Sequence, residues 1–326
     1  MKAAWYTKTG KACDVLKLGQ LENPELSAGD VLVELKASGI NPSDVKTRAG
    51  ARGDLQFSRV IPHSDGSGEI VDVGKGVDKS RIGERVWLWN AAFGRANGTC
   101  AEFISIPESQ AVKINSNVSY DSAACMGIPA STAYYGVLAN GSVENKTVLI
   151  SGGAGAVGFY GIQLAKLSGA NVITTVSSDE KAKVADDAGA DKIINYKNEN
   201  VVEEVMKYTN NIGVDRIVEV EFGGNLPTNK EIIKHNGVIA AYGSMAEMEP
   251  NLPFYNLMFK GVKIDTFLIY SIEETFRKKI SNGLSEFLNR DSLKHMITKK
   301  FSIDDIVCAH EEMESGSVIG NIVIEI

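Results

Sequence analysis

A chain of 326 residues exceeds the usual single hydrophobic core and implies about two domains, since compact domains mostly run to ~100–200 residues. With 44% hydrophobic and 23% charged residues, its composition is that of a globular protein and excludes intrinsic disorder. A net charge of −7 without any Lys/Arg cluster excludes a nucleic-acid footprint, and no apolar run approaches the ~20 residues of a membrane span.

The stretch "MKAAWYTKTGKACDVLKL" starts like a strand and lacks the apolar core of a signal peptide, so a cytoplasmic location is expected. Short β-like runs follow, "DVLVELKASGIN", "GEIVDVG", "ERVWLWN" and "CAEFISIP", punctuated by "NPSD", "IPHSDGSG" and "GKGV". They predict a β-rich domain. Cys13, Cys100, Cys125 and Cys308 are scattered singly, as are His63, His235, His295 and His310, so spacing draws no metal constellation and the thiols are expected to be reduced.

From Ser122 the pattern changes to helical spacing and then to alternation. "KTVLIS" precedes a helix from Gly155 to Leu167, "NVITTVS" precedes "DEKAKVADDAG", "KIINY" precedes "ENVVEEVMKYTN", and "VDRIVEVE" and "GVIAAYG" flank "LPTNKEIIKH". Continuous apolar strands alternating with helices predict a doubly wound parallel sheet, an α/β Rossmann domain. After Lys263 a strand "KIDTFLIY", two helices and a last strand "GNIVIEI" are expected to pack back on the first domain, because a terminal strand must pair somewhere. The expected division is 1–122 with 266–326, and 123–265.

Gly153-x-Gly155-x-x-Gly158 lies between an apolar strand and a helix, inside a βαβ unit closed by "NVITTV". That context makes Gly153, Ala154, Gly155, Ala156, Val157 and Gly158 a pyrophosphate loop facing a helix N-terminus. At the end of the second strand, where an NAD site places an acid, stand Val176, Ser177 and Ser178, with Lys181 one turn on. Hydroxyls and a lysine suit a ribose 2′-phosphate and favour NADPH. The alternative leaves Lys181 solvated and gives Asp179 or Glu180 the ribose of NAD.

"VLISGGAGAVG", "GIPASTAYYGV", "ASGINPSDVKTRAG" and "IPHSDGSGEIVDVGKGV" together resemble the zinc-free quinone oxidoreductases, the zeta-crystallin-like branch of the medium-chain dehydrogenases and reductases. The likeness runs over nearly the whole chain. It implies a GroES-like β-barrel domain beside the Rossmann domain, a cleft where nicotinamide meets its acceptor, and a homodimer. Where zinc alcohol dehydrogenases carry ligands, this chain has Asn41 and Ser64, and "AAFGRANGTCAEF" holds only Cys100 in place of a four-cysteine loop. Zinc needs three protein ligands to polarise an alcohol.

The resemblance therefore implies hydride delivery from NADPH to a small-molecule quinone or enone, with a hydrogen bond at the developing oxyanion. Asn41 is the implied donor, or else a turn residue. Lys46, where relatives have a tyrosine near the ring, is a proton donor, a cofactor contact or a solvated lysine. Thr132 matches a threonine near the carboxamide, Tyr196 an adenosine-side tyrosine, and Phe267 and Ile269 a segment whose backbone meets the carboxamide. Gly243 and Ser244 close a strand at the carboxyl edge of the sheet, where ligands bind. Asn321 stands where relatives have Lys or Arg near the cofactor phosphate. Trp87 and Trp89 share a strand face, with Phe93 and Arg95 on a loop that either packs or walls the acceptor pocket; Glu219 and Glu221 carry no assigned role. Two further readings are an NADPH-binding crystallin-like or regulatory protein and a zinc alcohol dehydrogenase.

Overall fold

The structure is a computed structural model that describes residues 1–326. The chain forms two units, Met1–Pro129 with Ser281–Ile326, and Ala130–Ile280. The crossings fall at 129/130 and 280/281, later than the expected 122/123 and 265/266. In chain order the first unit runs through β1 (Lys2–Trp5), α1 (Ala12–Val15), β2 (Lys17–Gln20), β3 (Asp30–Ile40), α2 (Pro42–Ala49), β4 (Asp65–Val73), β5 (Arg85–Leu88), β6 (Phe103–Pro107), β7 (Ala111–Lys113) and α3 (Tyr120–Ala123). The second holds α4 (Ser131–Leu138), β8 (Thr147–Ile150), α5 (Ala156–Leu167), β9 (Asn171–Val176), α6 (Asp179–Asp187), β10 (Lys192–Asn195), α7 (Val201–Tyr208), β11 (Val214–Glu219), α8 (Phe222–Ile232), β12 (Ile233–Ala241), α9 (Phe254–Lys260) and β13 (Lys263–Thr266). Helix α10 (Glu274–Asn289) carries the chain across the boundary, and β14 (Ile297–Ser302), α11 (Ile306–Glu314) and β15 (Asn321–Glu325) complete the first unit.

In the first unit the main sheet runs β14-β15-β3-β4-β5-β7, with β6 also on β3, and all pairs except β14–β15 are antiparallel. Alternation along β3 buries Val31, Val33 and Leu35 against Ile70, Val86, Leu88, Ile104 and Ile106. This is the GroES-like domain, and the terminal strand β15 pairs with β3 within it as expected.

The second unit is a six-stranded parallel sheet in the order β10-β9-β8-β11-β12-β13, which reverses direction between β8 and β11. That is the doubly wound order whose switch point binds nucleotides. Leu149, Ile173, Ile194, Ile217 and Ile239 from five strands share one core, each contributing roughly 1.5–3 kcal/mol on burial. One expectation is corrected: β13 does not pack back on the first domain but pairs with β12 in this sheet, Ile264 opposite Ile239. No helix is long and apolar enough to cross a membrane.

Candidate active site

Strand β8 ends at Ile150, and the chain turns through Ser151–Gly155 into α5. Gly152 takes φ +71°, a left-handed conformation that a side chain disfavours. A Cβ on Gly158 would collide with the Gly152 carbonyl oxygen, so this glycine brings the first helical turn against the loop. A Cβ on Gly155, by contrast, meets nothing closer than 3.4 Å. Gly155 caps α5 without a side-chain hydrogen bond, leaving N–H groups of that first turn for an anion. Two hydroxyls the motif did not reveal hold the loop from β9: Gly152 N donates to Thr175 Oγ1 at 3.2 Å, and Thr174 Oγ1 donates to the Ile150 carbonyl at 2.7 Å. Their sequence signal was two adjacent β-branched hydroxyls in "NVITTVS".

At the end of β9 the Lys181 ammonium donates to Ser177 Oγ at 3.2 Å. Ser178 is the N-cap of α6, its Oγ accepting from Lys181 N at 3.3 Å, so its hydroxyl serves the fold. Tyr196 follows β10, donates its N–H to the Val176 carbonyl at 3.1 Å and leaves its half-exposed ring beside Lys197, 5.4 Å from the ring centroid. Ser177, Lys181 and Tyr196, 19 positions apart at most, thus lie along two neighbouring strand ends. Of these three only Tyr196 lines the neighbouring cavity of about 590 Å³, which it shares with Gly152, Thr175, Glu219, Glu221 and Ala246 among others.

The remaining expected residues of this unit are placed differently. Thr132 is buried in the first turn of α4. Gly243 backs on Val220 so closely that a Cβ would collide with its carbonyl, and Ser244 Oγ accepts from Gly223 N at 2.9 Å while donating to the Glu247 carbonyl. Phe267 N donates to the Ala241 carbonyl at 3.0 Å, and the Ile269 carbonyl accepts from Arg277. Those backbone groups are therefore committed to the fold, while the Phe267 ring packs tilted against Tyr135, their centroids 4.4 Å apart.

In the first unit Asn41 caps α2, and the buried Asp44 reaches back to accept its N–H at 2.8 Å. The Asn41 amide donates through Nδ2 to buried Asp65 Oδ2 at 2.9 Å. Burial raises the Asp44 pKa to about 7, against the lowering pull of the N–H groups it accepts. Lys46 lies half-buried on α2. Five residues on from Asn41, it projects roughly 140° round the helix from it. Asn321 opens β15 and donates Nδ2 to the Met296 carbonyl at 3.1 Å. Trp87 is fully buried, its indole N–H 3.3 Å from Ser285 Oγ, whereas Phe93 is exposed and Arg95 donates to the Ser105 carbonyl.

His63 is fully buried with φ +76°, and its partner was invisible in the sequence: His310, 247 positions away, on α11. The Nε2 atoms are 3.1 Å apart, and His63 Nδ1 is 2.9 Å from Ser38 Oγ, which meets Thr99 Oγ1 at 2.7 Å. His310 Nδ1 is buried without a partner. A proton there would be an orphan donor, so we assign it to His310 Nε2, donating to His63 Nε2, with His63 Nδ1–H donating to Ser38. No three His, Cys, Asp or Glu side chains are gathered to hold a metal ion.

Two family profiles match the sequence, one described as alcohol dehydrogenase GroES-like domain over residues 27–116 and one as zinc-binding dehydrogenase over 156–285. The chain is 26% identical to human quinone oxidoreductase over 306 residues, 93% of this chain and 91% of that protein. It is 27% identical to an alcohol dehydrogenase of Geobacillus stearothermophilus, covering 100% of this chain and 99% of the relative. A mycobacterial protein solved in complex with NADPH superposes with a TM-score of 0.86 at 26% identity, over 100% of both chains.

Proposed function

The chain belongs to the medium-chain dehydrogenase/reductase superfamily, and from that premise we propose that it is an NADPH-dependent reductase that delivers hydride to a quinone or related enone without zinc. The observation that carries the reading is the Lys181–Ser177 pair at the end of β9, beside the glycine loop. A cation and a hydroxyl there favour a 2′-phosphorylated ribose, and the uncapped first turn of α5 suits the pyrophosphate. The cavity from Gly152 to Tyr196 is then the place of the adenosine end. When bound, the nicotinamide supplies the hydride, which relieves the protein of covalent chemistry.

What the protein contributes is orientation and charge stabilisation. Asn41 is the proposed oxyanion donor, held by Asp65 through one N–H of its amide and keeping a second for the acceptor oxygen. Neither Asn41 nor Ser64 offers the thiolate or imidazole that zinc prefers, and both ring nitrogens of His63 face Ser38 and His310. These donor identities support a zinc-independent reaction. The four free thiols suit a reducing, cytoplasmic setting.

A homodimer fits the same reading. Phe254, Tyr255, Met258 and Phe259 on α9 stand between 46% and 73% exposed, and β13 has an open outer edge in the sheet. A two-fold axis would pair that edge with its copy and cover the apolar helix. Sedimentation velocity giving a monomer at micromolar concentration would argue against it. The cofactor assignment is tested by fluorescence titration: NADPH should bind at least tenfold more tightly than NADH, and equal affinities would refute it.

A further inference from the structure

Strand β11 ends at Glu219, and one residue later the chain starts α8 from Glu221. Glu219 is fully buried and accepts from Asn225 Nδ2 at 2.9 Å, Asn229 Nδ2 at 2.7 Å and Glu221 N at 2.8 Å, which fixes the strand-to-helix turn. The Glu221 side chain does something else. Its Oε2 accepts from Met245 N at 2.7 Å and Ala246 N at 3.0 Å, and its Oε1 from Gly224 N at 3.3 Å and Glu247 N at 3.4 Å. One carboxylate gathers four backbone N–H groups from two segments that are not neighbours in the chain.

A second tie runs beside it. Ser244 Oγ accepts from Gly223 N at 2.9 Å and donates to the Glu247 carbonyl. Gly223 has no room for a side chain, since a Cβ would collide with the Glu247 carbonyl oxygen. The 244–247 loop is therefore laid on the first turn of α8. Partial burial acts to raise the Glu221 pKa, but the N–H groups of Ala246, Met245, Gly224 and Glu247 outweigh it and hold the carboxyl below its ordinary value. Glu221 and Ala246 both line the cavity that also meets Gly152 and Tyr196.

We propose that Glu221 is a positioning residue for the nucleotide: by gathering the amides of Met245, Ala246 and Glu247 it fixes the 244–247 loop as one wall of the cavity before the cofactor arrives. The inference rests on the reading above that this cavity takes the adenosine end of NADPH. A loop ordered in advance loses little conformational freedom on binding, so the clamp acts on affinity and release rather than on hydride transfer. An unclamped loop would have to be ordered by the ligand itself.

Two measurements on the full-length protein test this. In the absence of cofactor, hydrogen exchange at the Met245, Ala246 and Glu247 amides should be slow, and in Glu221→Gln about tenfold faster or more, with β11 and the later turns of α8 unchanged. Glu221→Gln presents an amide NH2 to N–H groups that need an acceptor, and Glu221→Asp keeps the charge but shortens the reach. Fluorescence titration with NADPH should then show Kd raised about tenfold in Glu221→Gln and by less in Glu221→Asp, with stopped-flow release faster in the same order. The KM for NADPH should rise more than kcat falls. Unchanged exchange, or an unchanged or lowered Kd while the wild-type protein binds NADPH, overturns the positioning role alone. If wild-type protein fails to bind NADPH, the functional reading falls and this inference with it.

Discussion

Asn41 and Asp65 form a buried pair in which the amide donates to the carboxylate at 2.9 Å, joining the N-cap of α2 to the first residue of β4. Asp65 fixes which way the amide faces. Removing the amide in Asn41→Ala should lower kcat with a quinone acceptor by ~10²–10³, the cost of an oxyanion donor, while leaving the Kd for NADPH unchanged. Asp65→Ala keeps the amide but frees it to rotate, and should lose less, about tenfold. Steady-state kinetics with a cofactor titration checks both, and a change confined to NADPH affinity would remove Asn41 from the reaction.

On the proposed assignment, Lys181→Glu replaces an attraction for the 2′-phosphate with a repulsion. The expected loss in kcat/KM for NADPH is about ten- to hundredfold, on the order of 1.4–2.8 kcal/mol, with NADH little affected. Because Lys181 also donates to Ser177 Oγ, Ser177→Ala should shift the preference in the same direction and by less. Parallel assays with the two cofactors measure the ratio, and an unaltered ratio in Lys181→Glu contradicts the assignment.

Gly158→Ala drives a methyl group into the Gly152 carbonyl. The loop must shift, at about 1–3 kcal/mol of stability by analogy with overpacked cores, and the pyrophosphate cradle shifts with it. Thermal melts should show a lowered Tm and a smaller rise on adding NADPH. Gly155→Ala, where space is open, should be milder in both.

Stability should fall with acid in a way traceable to His63 and His310. Burial lowers the His63 pKa from 6.5 to about 3, and burial, then His63 and Arg48, hold His310 well below its ordinary value. Above pH 6.5 both are neutral folded or unfolded. Below it the unfolded chain takes up two protons that the folded state refuses, each costing about 1.4 kcal/mol per pH unit until the folded pKa values are reached. Asp44 works the other way: its carboxyl, raised from 3.8 to about 7, holds a proton in the folded state across that interval, so stability is gained as pH falls from 7 towards 3.8. His295, whose pKa burial lowers from 6.5 to about 4, adds a third refused proton, so set against the one on Asp44 the net slope between pH 6 and pH 5 is about two protons. Urea unfolding should show it in the wild-type protein and about half that slope in His310→Gln; identical slopes would contradict the pairing.

The sheet and its glycine loop were legible because their signals are local. Apolar strands alternate with helices, and Gly153, Gly155 and Gly158 sit at a strand-to-helix turn. The Ser177–Lys181 pair was equally legible, being one helical turn apart. What escaped were partnerships across long separations. Nothing in "IPHSDGSG" points to His310, and the pairing of β13 with β12 rather than with the first domain depends on a parallel register that four residues of strand do not announce. Glu221 had no assignable role because its partners are backbone N–H groups of a loop, and backbone groups leave no mark in a sequence. Ser178, Ser244 and Asn321 were expected at the cofactor, and the sequence did not show that their side chains also make a helix cap, a loop tie and a strand-entry contact.

The central claim is that a bound nicotinamide passes hydride to an activated acceptor without zinc, and one measurement meets it directly. Chelator-treated protein is mixed with NADPH and, separately, with ortho-quinones, para-quinones and enones, following nicotinamide absorbance and acceptor loss together. The account predicts oxidation of NADPH matched one to one by reduction of at least one quinone or enone, unaffected by the chelator. Binding of NADPH without oxidation by any acceptor, or turnover that appears only with added zinc and an alcohol, would contradict it.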